Sequence, residues 1–265
     1  MKAEVYKTDG SVSGEVELPK IFNEVYREDL VRRAILAEQS RRFQPQGHFL
    51  MAGLNTTAVY VGAYGVYRTG RHMGIAIRPR QKLAGGAMGD VRRIPSSTKG
   101  RRAHPHKIEK ILVENINARE YRKAIASAIS GSANVKLVSS KHIIKRESLP
   151  IVVDDSLEKV AKTKELIAVL KKLGVWEDLE KSKDSKKIGG KRYAQRRRYR
   201  KGALIVANDA SKISLAGRNI AGLDVCGVKE LSAEALAPGA IPRLSIWTAS
   251  ALKEAENAVE SMRLR

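Results

Sequence analysis

The first forty residues change period once. Ala3 to Tyr6 alternate in polarity, Asp9-Gly10 marks a turn, and Glu15 to Leu18 forms a second extended run, so a β-hairpin is predicted. From Glu28 to Arg42 the spacing lengthens, placing Leu30, Ala34, Ile35 and Glu38 on one side of a predicted helix. After Arg42 the pattern collapses. Between there and Lys107 lie ten glycines, four prolines and four of the five histidines, with no sustained period of 2 or 3.6, and every local signal reads as loop.

Order returns at Asn117, a cap residue with Glu120 three positions on, ahead of a helix carrying Tyr121, Ile125, Ala128 and Ile129 on one face. Short apolar runs then predict strands at Val135 to Val138, Ile151 to Val153, Ala203 to Ala207, Leu223 to Cys226 and Leu244 to Thr248. They do not alternate, as expected of strands buried on both faces of a parallel sheet. Helices are expected from Ser156 to Leu173, with Val160, Ile167 and Leu170 inward and Gly174 as the stop, and from Ala249 to Met262. The alternation predicts an α/β fold with a mainly parallel sheet and flanking helices, a Rossmann-like layered body formed by 1–43 and 108–265. Residues 44–107 interrupt that body. Loops longer than about 12–15 residues are uncommon inside domains. The segment is therefore read as a long extended arm that doubles back, buries too little to hold itself and is ordered by a partner.

Charge says what kind of partner. The chain of 265 residues carries a net charge of +22, and all of it sits in two stretches. Arg41 to Lys107 holds 13 Lys/Arg and one acid, while Lys181 to Gly202 holds 11 and one, leaving 26 of each sign elsewhere. Like charges crowded this closely oppose compaction unless a polyanion offsets them, and nucleic acid is the obvious one. In the first stretch Arg68, Arg71, Arg78, Arg80, Arg92, Arg93, Lys99, Arg101, Arg102, His104 and Lys107 are interleaved with Tyr60, Tyr64, Tyr67 and glycines. Guanidinium groups pair with phosphate, and aromatic rings stack on unpaired bases, which suits folded RNA better than regular duplex DNA. The second stretch, 181–202, contributes Lys187, Lys191, Arg192, Tyr193, Arg196, Arg197, Arg198, Tyr199, Arg200 and Lys201 as a basic segment of the body. Such a block binds phosphate or serves as a localisation signal, and both require exposure.

Catalytic signals are thin. No phosphate-binding Gly-x-x-x-x-Gly-Lys-Ser/Thr loop is present, and no cofactor is expected. Asp154-Asp155, at a predicted strand end, is read as a cap for the next helix rather than a pair of catalytic acids. His104-Pro105-His106 is read as a phosphate or base contact; as a metal pair it lacks a third ligand. Cys226, the one cysteine, excludes an internal disulfide and a cysteine zinc cage, fits a reducing compartment, and reads as a small core residue rather than a nucleophile. The start, MKAEVYKTDG, lacks the apolar run of a signal peptide. The uncharged stretch Phe43 to Tyr67, broken by Pro45, Asn55, Thr56 and Thr57, falls short of the roughly 20 apolar residues of a membrane span. No membrane partner is expected.

The block Gly100-Arg101-Arg102-Ala103-His104-Pro105-His106-Lys107, then Glu109-Lys110 and the helix at Asn117, resembles the archaeal and eukaryotic form of the ribosomal protein L-four family of the large subunit. Matches in order along the chain include Leu18-Pro19 with Phe22, Arg27-Glu28-Asp29-Leu30, Ala52-Gly53-Leu54-Asn55-Thr56, Val153-Asp154-Asp155, Ala216-Gly217-Arg218-Asn219 and Leu236-Ala237-Pro238-Gly239. The resemblance implies an α/β body on the outside of the large subunit and an arm that penetrates the ribosomal RNA. It also implies an arm tip bordering the nascent-peptide exit tunnel beside ribosomal protein L-twenty-two, in the cytoplasm. Arg68 to Lys107 would then be arm contacts to RNA and Lys187 to Lys201 a second anchor. The chain departs from the family at Gly62-Ala63-Tyr64-Gly65-Val66-Tyr67-Arg68, in an arm lengthened by Lys82 to Asp90, and at His106, where a second proline is usual. Beside this non-enzymatic assembly role stand two others: an RNA-modifying or RNA-processing enzyme on the same body, and a chromatin-like DNA protein, which would need a groove-reading helix.

Overall fold

The apolar runs lack alternation because their side chains are shared between two faces. A computed structural model describes residues 1–59, 64–65, 71–72, 74–146, 148–190 and 196–262. The chain divides into two units, Met1–Arg42 with Glu114–Arg265, and Phe43–Val113.

The larger unit opens with β1 (Lys2–Tyr6), β2 (Val12–Glu17) and α1 (Glu28–Ser40). It resumes with α2 (Ala118–Ala133) and α3 (Val135–Ser139), separated in the chain from α1 by the second unit's strands β3 (Ala58–Val59), β4 (Arg80–Lys82) and β5 (Met88–Val91). Next come β6 (Ile151–Val153), α4 (Thr163–Lys172), α5 (Trp176–Asp184), β7 (Lys187–Gly189), β8 (Arg196–Arg198) and β9 (Leu204–Ala207). Last are α6 (Ser211–Gly217), β10 (Asp224–Gly227), α7 (Ala233–Leu236), β11 (Ser245–Thr248) and α8 (Ala249–Ser261). Six strands form one sheet in the order β10-β9-β11-β6-β1-β2, parallel except for the antiparallel hairpin β1–β2 at one edge.

Consecutive side chains in the central strands enter different cores. Val152, Leu204, Val206 and Trp247 pack with residues of α1, α2 and α8, whereas Ile151, Val153, Ile205 and Ile246 pack with residues of α4, α5 and α6. Period-2 geometry sends neighbours to opposite faces, so a strand covered on both sides must be apolar throughout. The Phe22 ring meets Trp247 edge-on, with centroids 5.6 Å apart. Glu38 is buried with a purpose: its carboxylate accepts from the Tyr121 hydroxyl (2.8 Å) and from the amides of Ala233 (2.7 Å) and Glu234 (2.9 Å), capping the start of α7.

Three expectations change. Val135 to Val138 is not a strand but most of α3, because Asn134 accepts from the Lys136 amide (3.0 Å) and starts a helical turn that buries Val138. Four apolar residues do not by themselves distinguish a strand from a buried turn of helix. The single helix expected from Ser156 to Leu173 is a 3₁₀ turn at Asp155–Lys159 followed by α4, with Val160 extended between them, and the buried face is Leu166, Val169 and Leu170. Gly174 does end the helix, at φ +77°. Asn117 occupies the cap position of α2, but its side chain makes no capping hydrogen bond there, and Glu120 lies 3.5 Å from Arg33.

In the second unit, patternless by local signals, β3, β4 and β5 form a small antiparallel sheet, with Ala58 opposite Gln81 and Arg80 opposite Val91. The β4–β5 turn uses Gly85 and Gly86 at φ +74° and +80°. The segments before and after this sheet run side by side: the His48 amide donates to the His106 carbonyl (3.1 Å), and a Cβ on Gly53 would overlap the Arg102 carbonyl oxygen. Among the described residues of 43–113, Gly53 alone is buried. No helix among the described residues is long and apolar enough to cross a membrane.

Trp247→Ala is expected to lower the unfolding free energy of the larger unit by about 3–5 kcal/mol, read by urea denaturation at pH 7. A loss below about 1 kcal/mol would mean that the core shared with α1, α2 and α8 does not depend on this side chain.

Candidate nucleic-acid interface

The cations of Phe43–Val113 fall into two groups. Arg80, Arg92 and Arg101 brace their own unit. Arg92 spans β4 and β5 to the Gln81 side-chain oxygen (2.8 and 3.2 Å), Arg101 reaches the Asn55 carbonyl (2.9 Å), and Arg80 reaches the Ala76 carbonyl (3.4 Å). These acceptors are neutral, so the positive charge remains; only Asp90, 3.8 Å from Arg92, offers any balance. Arg78, Arg93, Lys99, Arg102, His104 and Lys107 are exposed and make no side-chain hydrogen bond or ion pair with a described residue. Arg71 lies over the Tyr64 ring, 5.4 Å from its centroid, the one pairing of arginine with a tyrosine in this stretch that the described residues hold. Arg68, Tyr60 and Tyr67 lie outside the described residues.

The second basic stretch becomes an antiparallel hairpin that sequence reasoning missed. Lys187 stands opposite Arg198 and Ile188 opposite Arg197, and Lys187, Arg197 and Arg198 are exposed. Like charges directly across a two-stranded ribbon repel, so this element gains from an anion. Lys191, Arg192 and Tyr193 lie outside the described residues, as does the side chain of Arg196. Tyr199, next along, is 40% exposed.

Arg200 behaves differently from its neighbours. Its guanidinium turns inward to the fully buried carboxylate of Asp178 and to the Lys141 carbonyl, while its amide donates to Ser185 Oγ (3.1 Å). The expectation of an exposed phosphate contact is corrected here, because a buried carboxylate without a cation would cost far more than one solvated arginine gains. Asp178 is further held by His142 Nδ1 (2.9 Å) and the Ile143 amide (3.1 Å). Burial alone would raise the Asp178 pKa; His142, the Ile143 amide and Arg200 outweigh it and keep the group below its ordinary value. Burial lowers the His142 pKa despite Asp178.

Lys201 is likewise engaged, 2.9 Å from Asp224, whose other partner is the buried Arg243 (2.7 Å). Arg243 also donates to the carbonyls of Ala203 (2.9 Å), Gly222 (3.0 Å) and Gly202, joining the starts of β9, β10 and β11. Neither Arg243 nor the His142–Asp178 pair carries a spacing signal, since each partner is remote in sequence.

The remaining candidates are structural. Asp154 accepts from the Asp155 amide (2.9 Å), and Asp155 accepts from the Ser250 amide (2.8 Å) at the start of α8. Glu158 accepts from the amides of Asn208 and Asp209 and from the Thr248 hydroxyl, so the acids at these strand ends are committed to backbone and hydroxyl donors. No group of three or more His, Cys, Asp or Glu among the described residues is placed to hold a metal ion. Cys226 packs against the core, and burial pushes its thiol up to about 12.

Comparison with known proteins places this charge map in context. The model of the ribosomal protein L4/L1 family matches residues 16–258. The large ribosomal subunit protein uL4 of Methanospirillum hungatei is 41% identical over 258 residues, spanning 96% of this chain and 98% of the relative. The uL4 of Methanoculleus marisnigri is 43% identical over 97% of this chain and 99% of its own, and that of Methanocaldococcus jannaschii 40% over 98% and 100%.

His142 is the one histidine of the larger unit, the other four being His48, His72, His104 and His106. With its pKa depressed by burial, the folded ring refuses a proton that the unfolded chain accepts below its ordinary value of 6.5. Stability should therefore fall as pH drops from about 7 toward 5, with a second decline below about 3.9 from Asp178 and Asp224, whose pKa values are also lowered. In urea titrations His142→Asn should flatten the first decline and leave the part of the second that comes from Asp224. An unchanged first decline would assign it elsewhere.

Proposed function

The chain belongs to the ribosomal protein L4/L1 family, and from that premise we propose that it is a structural, non-enzymatic constituent of the large ribosomal subunit that binds large-subunit ribosomal RNA and assists its assembly. One observation carries the RNA-binding reading. Residues 43–113 hold cations without acids to match, expose Phe43, Phe49, Leu50 and Met51, and among described residues bury only Gly53. A segment with that little burial does not offset its ordering entropy alone, and its charge and glycines suit close approach to phosphate.

In this reading 44–107 is an RNA-penetrating arm inserted in the body formed by 1–43 and 108–265. The Rossmann-like layering of that body serves as scaffold. Arg78, Arg93, Lys99, Arg102, His104 and Lys107 are its contacts, Arg68 and Arg71 of the same stretch add to its charge, and Arg80, Arg92 and Arg101 add charge and hold its shape. Lys187, Arg197 and Arg198, with Lys191, Arg192, Tyr193 and Arg196, form a second anchor on the body. The arm tip borders the nascent-peptide exit tunnel beside ribosomal protein L-twenty-two, and the whole works in the cytoplasm as part of the ribosome. An RNA-modifying activity is not favoured, because Asp154, Asp155 and Glu158 already cap backbone amides.

Binding of the full chain to transcribed large-subunit RNA should weaken by about 10³- to 10⁵-fold between about 50 and 200 mM salt, as for about six to ten neutralised phosphates. Deleting residues 60–95 should weaken it at least tenfold and leave the urea midpoint of the body unchanged. Affinity indifferent to salt, or a body that unfolds on deletion, would defeat the reading.

A further inference from the structure

The basic hairpin leads into a cleft whose composition is unlike a phosphate-binding surface. Residues 198–201, at the end of β8 and just beyond it, face residues 218–224, from the end of α6 to the start of β10, across a space of about 580 Å³. That volume lies within the range of small-molecule sites, roughly 300–1,000 Å³.

Two glycines bring the segments together. The Gly202 amide donates to the Gly222 carbonyl (2.8 Å), and Gly222 adopts φ +83°; a Cβ there would stand 2.5 Å from Ser182 Cβ, and one on Gly202 2.8 Å from Ser182 Oγ. Gly222 does not tolerate a side chain, and one at Gly202 would require Ser182 to turn away, so the close approach is a built feature of the backbone. Arg243 pins the same place from inside through the Gly202 and Gly222 carbonyls.

The lining divides by chemistry. Arg198, Arg218 and Asn219 are exposed and make no side-chain hydrogen bond or ion pair with a described residue. Arg200 lines the cleft but its guanidinium is spent on Asp178, and Lys201 is paired to Asp224. Asp224, the one acid in the lining, is held ionised between Lys201 and Arg243, so it adds no unbalanced negative charge. The half-exposed Tyr199 and the part-buried Ile220 supply apolar wall, with Leu223 packed into the core behind them.

A duplex backbone needs only cations on an open surface. Two uncommitted guanidinium groups, a free amide, a tyrosine ring and an apolar wall around one concavity match a base and its phosphate together: guanidinium for phosphate, amide for a base edge, ring for stacking. We propose that this cleft receives a single unpaired nucleotide of structured RNA, with Tyr199 as the stacking platform, Arg198 and Arg218 on the phosphate, and Asn219 on the base edge. The proposal rests on the RNA-binding reading above and adds to it a defined site for an extruded base.

The test uses the full chain and two short RNA stems that differ by one unpaired uridine, at one salt concentration, beside transcribed large-subunit RNA. The wild-type chain should prefer the bulged stem about tenfold, within the range for one base stacked on an aromatic ring. Tyr199→Leu should abolish the preference and Tyr199→Phe retain it. Arg218→Gln should weaken the bulged stem and reduce the salt slope by about one phosphate. Unchanged thermal midpoints would show that the variants are folded, and a preference lost in Tyr199→Phe as well would show that the ring is not the platform. Equal binding of both stems, or a preference indifferent to Tyr199→Leu, with large-subunit RNA still bound, would overturn the cleft proposal alone. Failure of the wild-type chain to bind large-subunit RNA would overturn the reading on which it rests.

Discussion

Burial of both faces of one mainly parallel sheet gathers the core of the larger unit into a single body. Trp247, Val152, Leu204 and Val206 fill one side, Ile151, Val153, Ile205 and Ile246 the other, and helices from both halves of the sequence cover them. Because the strands that begin and end this body lie on either side of residues 43–113, the sheet closes without help from that segment: β1 pairs with β6 across the insertion in sequence. The body's stability is therefore set by packing, and the inserted residues are left free to answer to a different constraint, charge.

Charge is handled in two ways by one chemistry. Inside the body, Arg200 and Arg243 are matched to Asp178 and Asp224 and to backbone carbonyls, fixing where the basic hairpin leaves α5 and where β9 to β11 begin. Outside, Lys187 faces Arg198 across two strands, and Arg80 and Arg101 of the second unit meet neutral carbonyl oxygens. The first arrangement is complete in the free protein. The second leaves positive charge that a polyanion would offset, releasing its own counterions.

Much of the body is legible in the sequence because two-sided burial leaves a strong trace: unbroken apolar runs such as Ile151 to Val153 and Ala203 to Ala207 mark strands covered on both faces. Val135 to Val138 leaves the same trace and yet is helical, since Asn134 diverts it into a turn. The break at Val160 is hidden because Val160 and Leu170 keep helical spacing across it, while Glu158 is drawn away to cap distant amides. The two- to four-residue strands of 43–113 and the hairpin at 187–198 have cross-strand bonds but little burial, hence no periodicity to find. Among the site residues, composition finds the cationic stretches but not which cations are already spoken for. Arg200 groups with its neighbours in sequence because its partner, Asp178, is set by the fold, and Arg218, though part of a family match, is not singled out as a cation because a lone arginine beyond a short helix has no local signature.

Amide hydrogen exchange on the full chain, with and without transcribed large-subunit RNA, tests most directly the claim that packing holds one unit and RNA the other. Strands β6, β9 and β11 should be strongly protected in both states, while described amides of 43–113 should exchange rapidly in the free chain and become protected on RNA. Equal protection of 43–113 in the absence of RNA would contradict it.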